Sequence, residues 1–339
     1  MQSEPIWRDQ TTGRKLYRLP VTTTLSGELS LALHVVKGAR PGPTVALTAT
    51  VHGDETVPAM MIRDLLNAID PERMAGTLCA MPVCNPPSMA VFNRQTPEQH
   101  GKTDLHEIFP GNARGNLTQM IGHVISDGLV RHSDVVIDYH CGGSGGRLQS
   151  RVDVNSVCED ELRRRSLSHA RNFGTVMVHE NAIPNSIVGY ANSLGKIAFG
   201  VETAGVYLSP QDHAEYMRTG VAGYRNVLRG LGMLEEPVAE RPRQILFAGK
   251  ARKEANPSRG GFLESGFQDP TELGKPVAKG TVLGRIVDMT TLEEVEELVS
   301  PVDGHLFFSR YSGVIDAGTK AYAIAEDAQS RWLEPDDEA

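Results

Sequence analysis

Nine residues, "PTVALTATV" (43–51), form an unbroken run of β-favouring side chains. A strand with one wet face alternates polar and apolar positions, so an unbroken run predicts a strand covered on both faces. The chain then places His52, Asp54 and Glu55 at the strand's end and changes period. Val57, Met60, Met61, Leu65, Leu66 and Ile69 make a helical stripe. The pattern recurs. "TLCAMPVC" (77–84) reads as a second strand, stopped by Asn85-Pro86-Pro87. Leu117, Met120, Ile121, Val124, Ile125 and Leu129 again follow helical spacing, and "DVVIDYH" (134–140) is a third strand. "TVMVHE" (175–180) and "KIAFGVET" (196–203) are two more, separated by a helical "SIVGYANSLG", and a last helix covers about 211–232. Such alternation predicts an α/β fold, with a mostly parallel sheet and helices on both faces. In such sheets the site lies beyond the carboxyl ends of the strands.

The 339 residues suffice for a large core and two domains. Composition changes near the polar, proline-bearing "EEPVAERPRQ" (235–244), after which short β-like pieces alternate with glycine turns. The expected division is a catalytic domain over 1–238, a small all-β domain over 239–330 and an acidic tail over 331–339. The net charge of -8 argues against nucleic-acid and anionic-membrane partners. Arg163, Arg164 and Arg165 read as a solvated helix face. Cys79, Cys84, Cys141 and Cys158 show no CxxC pairing, and neither a signal core nor a bilayer-length apolar run is present. Free thiols in a reducing cytoplasm are expected.

The polar residues at strand ends carry the chemistry. His52 and Glu55 form an H-x-x-E pair whose side chains can face one point in space. Alone, the pair is a weak signal, and a sheet-capping histidine with a glutamate opening the next helix is the favoured reading. His140 changes the weighting. It ends "VVIDYH" and is followed by the flexible "CGGSGG", while Asp138, two residues back on the same side of the strand, can orient its imidazole. Two histidines and a glutamate match a catalytic zinc set, which needs three protein ligands and an open position. "GVETAG" places Glu202 at another strand end, where a carboxylate can take the proton of the attacking water and deliver it to a leaving amine. Arg94, in "VFNRQTP", can stabilise the oxyanion of a tetrahedral intermediate.

The ordered motifs "HGDE", "NP…R…DLHEIFPG", "DYHCGG" and "VETAG" resemble those of the succinylglutamate desuccinylase/aspartoacylase family, related in fold to the zinc carboxypeptidases. The resemblance covers roughly residues 25–235. It implies one zinc ion per chain held by His52, Glu55 and His140, with Glu202 as general base and acid and Arg94 polarising the scissile carbonyl. One stretch departs from the pattern. Where the family has D-L-N-R-x-F-P-G, residues 104–111 read "DLHEIFPG", so His106 and Glu107 replace the Asn and Arg that grip a substrate carboxylate. A glutamate there would repel such a group, which disfavours a free α-carboxylate bound in the usual manner. Either Glu107 receives an ammonium or other donor, or Glu107 turns away and Arg147 does the gripping. Tyr190 is read either as lining the entrance or, as most tyrosines of this kind, as a packing residue. As metal ligands, His100 and His106 rank below the main three, because neither sits at a strand end.

The C-terminal β segment resembles the barrel-sandwich hybrid of biotinyl and lipoyl carriers. It has no lysine between Lys279 and Lys320, so an attached cofactor is not expected, and a packing, lid or oligomer role is. The resulting expectation is a zinc-dependent hydrolase removing an acyl group from a small amine-bearing metabolite, with no nucleic-acid or membrane partner and homo-oligomerisation left open. Metallocarboxypeptidase or esterase action on the same machinery, or non-catalytic ligand binding, are the alternatives.

Overall fold

The computed structural model describes residues 4–25, 27–267 and 269–337. Up to residue 230 the strands are β1 (Gly13–Thr24), β2 (Gly27–Lys37), β3 (Arg40–Ala49), β4 (Ala75–Met81), the two-residue β5 (Thr96–Pro97) and β6 (Lys102–Thr103), β7 (Val135–Cys141), β8 (Gly146–Asn155), β9 (Met177–Asn181) and β10 (Ile197–Ala204). The helices are α1 (Val57–Ala68), α2 (Pro86–Ala90), α3 (Leu117–Gly128), α4 (Asp160–Arg171), α5 (Ile187–Ser193) and α6 (Pro210–Gly230).

Local signals set these elements. β4 and β7 are buried along their whole length, as their continuous apolar runs require. α3 opens with a reciprocal capping box between Asn116 and Gln119, and α6 opens on the Ser209 cap followed by Pro210. Two apolar layers cover the sheet. Met61, Ile62 and Leu65 of α1 share one layer with Leu162 and Leu167 of α4 and Tyr224 and Val227 of α6. Ile121 and Ile125 of α3 share the other with Ile187 and Val188 of α5.

The fold is mixed α/β, and the expectation of a mostly parallel sheet is corrected. The central order β4-β3-β7-β10 is parallel throughout. On one side β2 runs antiparallel to β4 and to its hairpin partner β1. On the other, β8 runs antiparallel to β10. The cause is connection length. Parallel neighbours need a long crossover, whereas the chain leaves β7 and turns straight back through residues 142–145 into β8.

After α6 the ordered elements are strands and short 3₁₀ turns: β11 (Gln244–Ala248), β12 (Arg252–Ala255), β13 (Gly261–Ser265), β14 (Pro276–Val277), β15 (Val282–Val287), β16 (Glu294–Val299), β17 (Gly304–Arg310), β18 (Gly313–Ile315), β19 (Tyr322–Glu326) and β20 (Ser330–Leu333). β16-β15-β13-β18 form a separate sheet. The other main strands extend the large sheet: β17 pairs with β8, and β11 pairs with β9 on one side and β20 on the other. Hydrogen bonding therefore crosses the anticipated 238/239 division. The segment expected to be an acidic tail contributes Leu333, buried in the main core, while its residues 338 and 339 lie outside the described residues. All four cysteines are free thiols, with Cys79, Cys84 and Cys141 buried. Among the described residues no helix is long and apolar enough to cross a membrane.

Candidate active site

The carboxyl ends of β3, β7 and β10 open into a cavity of about 560 Å³. Two of the backbone positions that shape it are unusual. Thr50, just past β3, and Ala204, ending β10, have left-handed backbone angles (φ 50° and 47°). A non-glycine residue is held there at a cost of about 1–3 kcal/mol, and both bends lie within two residues of a candidate functional side chain, His52 and Glu202.

His52, Glu55 and His140 meet in the cavity floor, all nearly inaccessible to solvent. His52 Nδ1 lies 2.8 Å from Glu55 Oε1, and His140 Nδ1 lies 2.9 Å from Glu55 Oε2. The opposite ring nitrogens also face carboxylates: His52 Nε2 is 3.2 Å from Asp104, and His140 Nε2 is 2.9 Å from Asp138. Asp138, fully buried, also accepts the Thr48 hydroxyl at 2.7 Å. If Asp104 and Asp138 take the Nε2–H protons, each Nδ1 presents a lone pair toward Glu55. Lone pairs and a carboxylate at hydrogen-bond distance repel unless two further protons or one cation lie between them. The donor set therefore fits a divalent ion, with carboxylates orienting both imidazoles from behind.

Burial opposes charge on Glu55, yet His52 and His140 hold its carboxyl well below the usual range. Burial likewise opposes protonation of His140, but Asp138 and Glu55 outweigh it and raise the imidazole well above its ordinary value. His106 behaves differently. Burial, reinforced by His140 and His52, lowers it to about 3, so its ring is neutral.

His106 stands beside the cluster although it is not at a strand end. It lies in the 3₁₀ turn Leu105–Glu107, capped by Asp104, which folds back over the strand ends. Its ring centroid is 5.5 Å from that of His52 and 5.0 Å from that of His140. One ligand atom from each of the three histidines lies within 4.8 Å of the others, a group able to bind a metal ion.

Glu202 faces the same cavity. One carboxylate oxygen is 3.4 Å from Arg151, and the other is buried without a hydrogen-bond partner among the described residues. Burial is the main cause of its raised pKa, pushed up to about 7 despite Arg151 and His140. Arg94 also reaches the site, with Nε 3.1 Å from Asp104 and Nη1 3.4 Å from Glu55. Asp54 has a supporting task, because its Oδ2 accepts the backbone N–H and hydroxyl of Ser144 and so ties down the glycine segment beside His140.

Three anticipated substrate contacts lie elsewhere. Glu107 is exposed and outside the cavity wall, since successive residues of a 3₁₀ turn diverge by about 120° and His106 takes the inward position. Arg147 packs its guanidinium over the Tyr311 ring at 5.0 Å, and Tyr190 belongs to the apolar layer under α3 and α5. His100 is exposed. Residues not anticipated do line the cavity: Arg151 and Asp153 of β8, and Arg252, Phe308, Arg310 and Lys320 of the C-terminal strands and loops.

Gly53 is fixed by packing. A Cβ there would lie 2.1 Å from the backbone carbon of Ser88 in α2, a contact relieved only by backbone movement. Gly53→Ala is expected to lower stability by about 1–3 kcal/mol, read as a lower urea midpoint. Because α2 leads into Arg94, activity should fall as well.

The catalytic-domain model of succinylglutamate desuccinylases and aspartoacylases matches residues 41–228, more than half of the chain. The chain belongs to the succinylglutamate desuccinylase/aspartoacylase family. Among curated family relatives it is 28% identical over 324 residues to the N-alpha-acetyl-L-2,4-diaminobutyric acid deacetylase of Halomonas elongata, covering 92% of this chain and 91% of that protein. The family fold is shared with the succinylglutamate desuccinylase/aspartoacylase structure from Rhodobacter sphaeroides (TM-score 0.81, 24% identity, 94% and 97% of the two chains). It is equally shared with the product-bound ectoine utilization protein EutE (DoeB) of Ruegeria pomeroyi (TM-score 0.81, 22% identity, 95% and 98%).

Proposed function

We propose that this protein is a zinc-dependent deacylase that hydrolyses the amide bond of a small N-acylated amino compound. The observation that carries the reading is the meeting of His52 Nδ1 and His140 Nδ1 on the two oxygens of Glu55, below a cavity that also holds the unpartnered Glu202 oxygen. The deacetylase activity named for the Halomonas elongata relative supports the same class of substrate.

In this reading His52, Glu55 and His140 hold one zinc ion, with His106 on its flank. Bound there, zinc would supply Lewis acidity toward the scissile carbonyl and toward water. Glu202 takes the proton of the attacking water, a task suited to a carboxyl whose pKa stands near 7. It then returns that proton to the nitrogen of the departing amine. Arg94 and Arg151 offer positive charge to the oxygen that becomes anionic. Asp104 and Asp138 keep the two imidazoles in the Nε2–H tautomer.

The test is a metal assay followed by a hydrolysis panel, with N-acetyl-L-2,4-diaminobutyrate, other N-acyl amino acids, C-terminal peptides and esters. Release of free amine from the N-acyl compounds, with about one zinc per chain, is the expected result. Preferential peptide trimming would favour the carboxypeptidase alternative. A zinc-loaded protein inert toward the whole panel would overturn the proposal in favour of simple ligand binding.

A further inference from the structure

Five cationic side chains line the cavity, and among the described residues three of them touch a carboxylate. Arg94 meets Glu55 and Asp104, Arg151 meets Asp153 and Glu202, and Arg252 gives Nε and Nη2 to Glu254 at 3.1 and 2.6 Å. The other two, Arg310 and Lys320, have none. Arg310 donates Nε to the Lys320 carbonyl at 2.8 Å, which leaves the rest of its guanidinium free. That guanidinium lies over the glycine segment after His140, where a Cβ on Gly145 would be 3.7 Å from Nη1. Lys320 Nζ stands 4.2 Å from the centre of the Phe308 ring and has no hydrogen-bonding acceptor.

Both side chains are half-buried, and a partly desolvated charge without a counter-ion gains when an anion arrives. The pair lines the same cavity as His52, Glu55 and His140 and is supplied wholly by the C-terminal β segment. Glu107, by contrast, is exposed and lies outside the cavity lining. Resting on the deacylase reading, we infer that Lys320 and Arg310 receive the free carboxylate of an N-acyl amino acid substrate, so that the C-terminal segment sets specificity for the acid end. The arrangement combines a planar donor fork with a point charge on an apolar ring, which suits a carboxylate that must be gripped and then released with the product.

The titration of Lys320 adds a pH signature. Burial lowers the ammonium to about 8, assisted by Arg252 and Arg151 and opposed by Glu254 and Glu202. Arg310 and the Phe308 ring complete its surroundings. Lys320 is therefore charged below about pH 8 and neutral above it, so carboxylate binding weakens as pH rises through that value.

The experiment compares N-acetyl-L-2,4-diaminobutyrate with its carboxamide, using wild type, Lys320→Met and Lys320→Arg, each checked for metal content and thermal midpoint. Wild type should prefer the acid, and Lys320→Met should reduce that preference 10–100-fold, through KM rather than kcat. The rise in KM of the acid above pH 8 should move beyond pH 10 in Lys320→Arg. Unchanged preference and an unchanged KM profile in Lys320→Met would overturn the inference while leaving the hydrolase reading intact. Were wild type to hydrolyse neither compound, calorimetric binding of the acid decides instead: equal affinity in wild type and Lys320→Met overturns the inference, and a 10–100-fold loss supports it.

Discussion

Glu202→Gln is expected to lower kcat by about 10²–10⁴-fold, the range lost when a positioned general base is removed, while metal content and fold stay as in wild type. The loss corresponds to about 2.7–5.5 kcal/mol of barrier. The substitution keeps size and shape, so packing against Arg151 survives, but the amide, its nitrogen lone pair delocalised into the carbonyl, is too weak a base to take the proton. The unpartnered Glu202 oxygen also explains why no neighbour can substitute: Asp153 is committed to Arg151, and Glu55 lies between two imidazoles. Single-turnover kinetics give the cleanest reading, because product release then drops out. A variant that retains a tenth or more of the wild-type rate while binding zinc normally would remove Glu202 from the mechanism.

Stripping zinc with a chelator should take hydrolysis to background, and stoichiometric zinc should restore it. His140→Ala should block that recovery, since it removes a ligand atom from the centre of the cluster. Asp138→Asn gives a graded and more informative result. The carboxylate at 2.9 Å from His140 Nε2 fixes the ring's tautomer, and loss of such a partner weakens metal binding about 10–100-fold. Competition against a chromophoric chelator measures this without reference to turnover. Zinc at a thousand times its dissociation constant should also stabilise the fold by about 4 kcal/mol. Full activity in chelator-treated, metal-free protein would defeat the metal assignment entirely.

The strand-end residues were readable because unbroken apolar runs fix where a buried strand stops, and His52, His140 and Glu202 each stand at such a stop. His106 was obscured by its setting in a 3₁₀ turn, whose three residues carry no periodic signal. Its neighbour Glu107 drew attention for its charge, yet the same turn sends it outward. β1 and β2 escaped notice although β2 alternates Leu29, Leu31, Leu33 and Val35, the pattern of a half-covered antiparallel strand. β8 was harder. Arg147, Arg151 and Asp153 within ten residues look like a loop until the ion pair between Arg151 and Asp153 is seen. Arg310 and Lys320 were out of reach for a topological reason, because the β8–β17 pairing brings them to residues more than 150 positions earlier.

That pairing has a bearing on how the protein is made. On a ribosome adding about 5–20 residues per second, β17 emerges roughly 8–30 s after β8. From the moment Glu202 is added, about a hundred residues before β17, every residue of the His–Glu–His cluster and Glu202 has been synthesised, yet one wall of the chamber is still missing. A nascent or prematurely terminated chain would thus own the reactive groups without the enclosure that selects and shields a substrate. Hydrolytic competence should arrive late in biogenesis, with the final strands acting as the step that arms it.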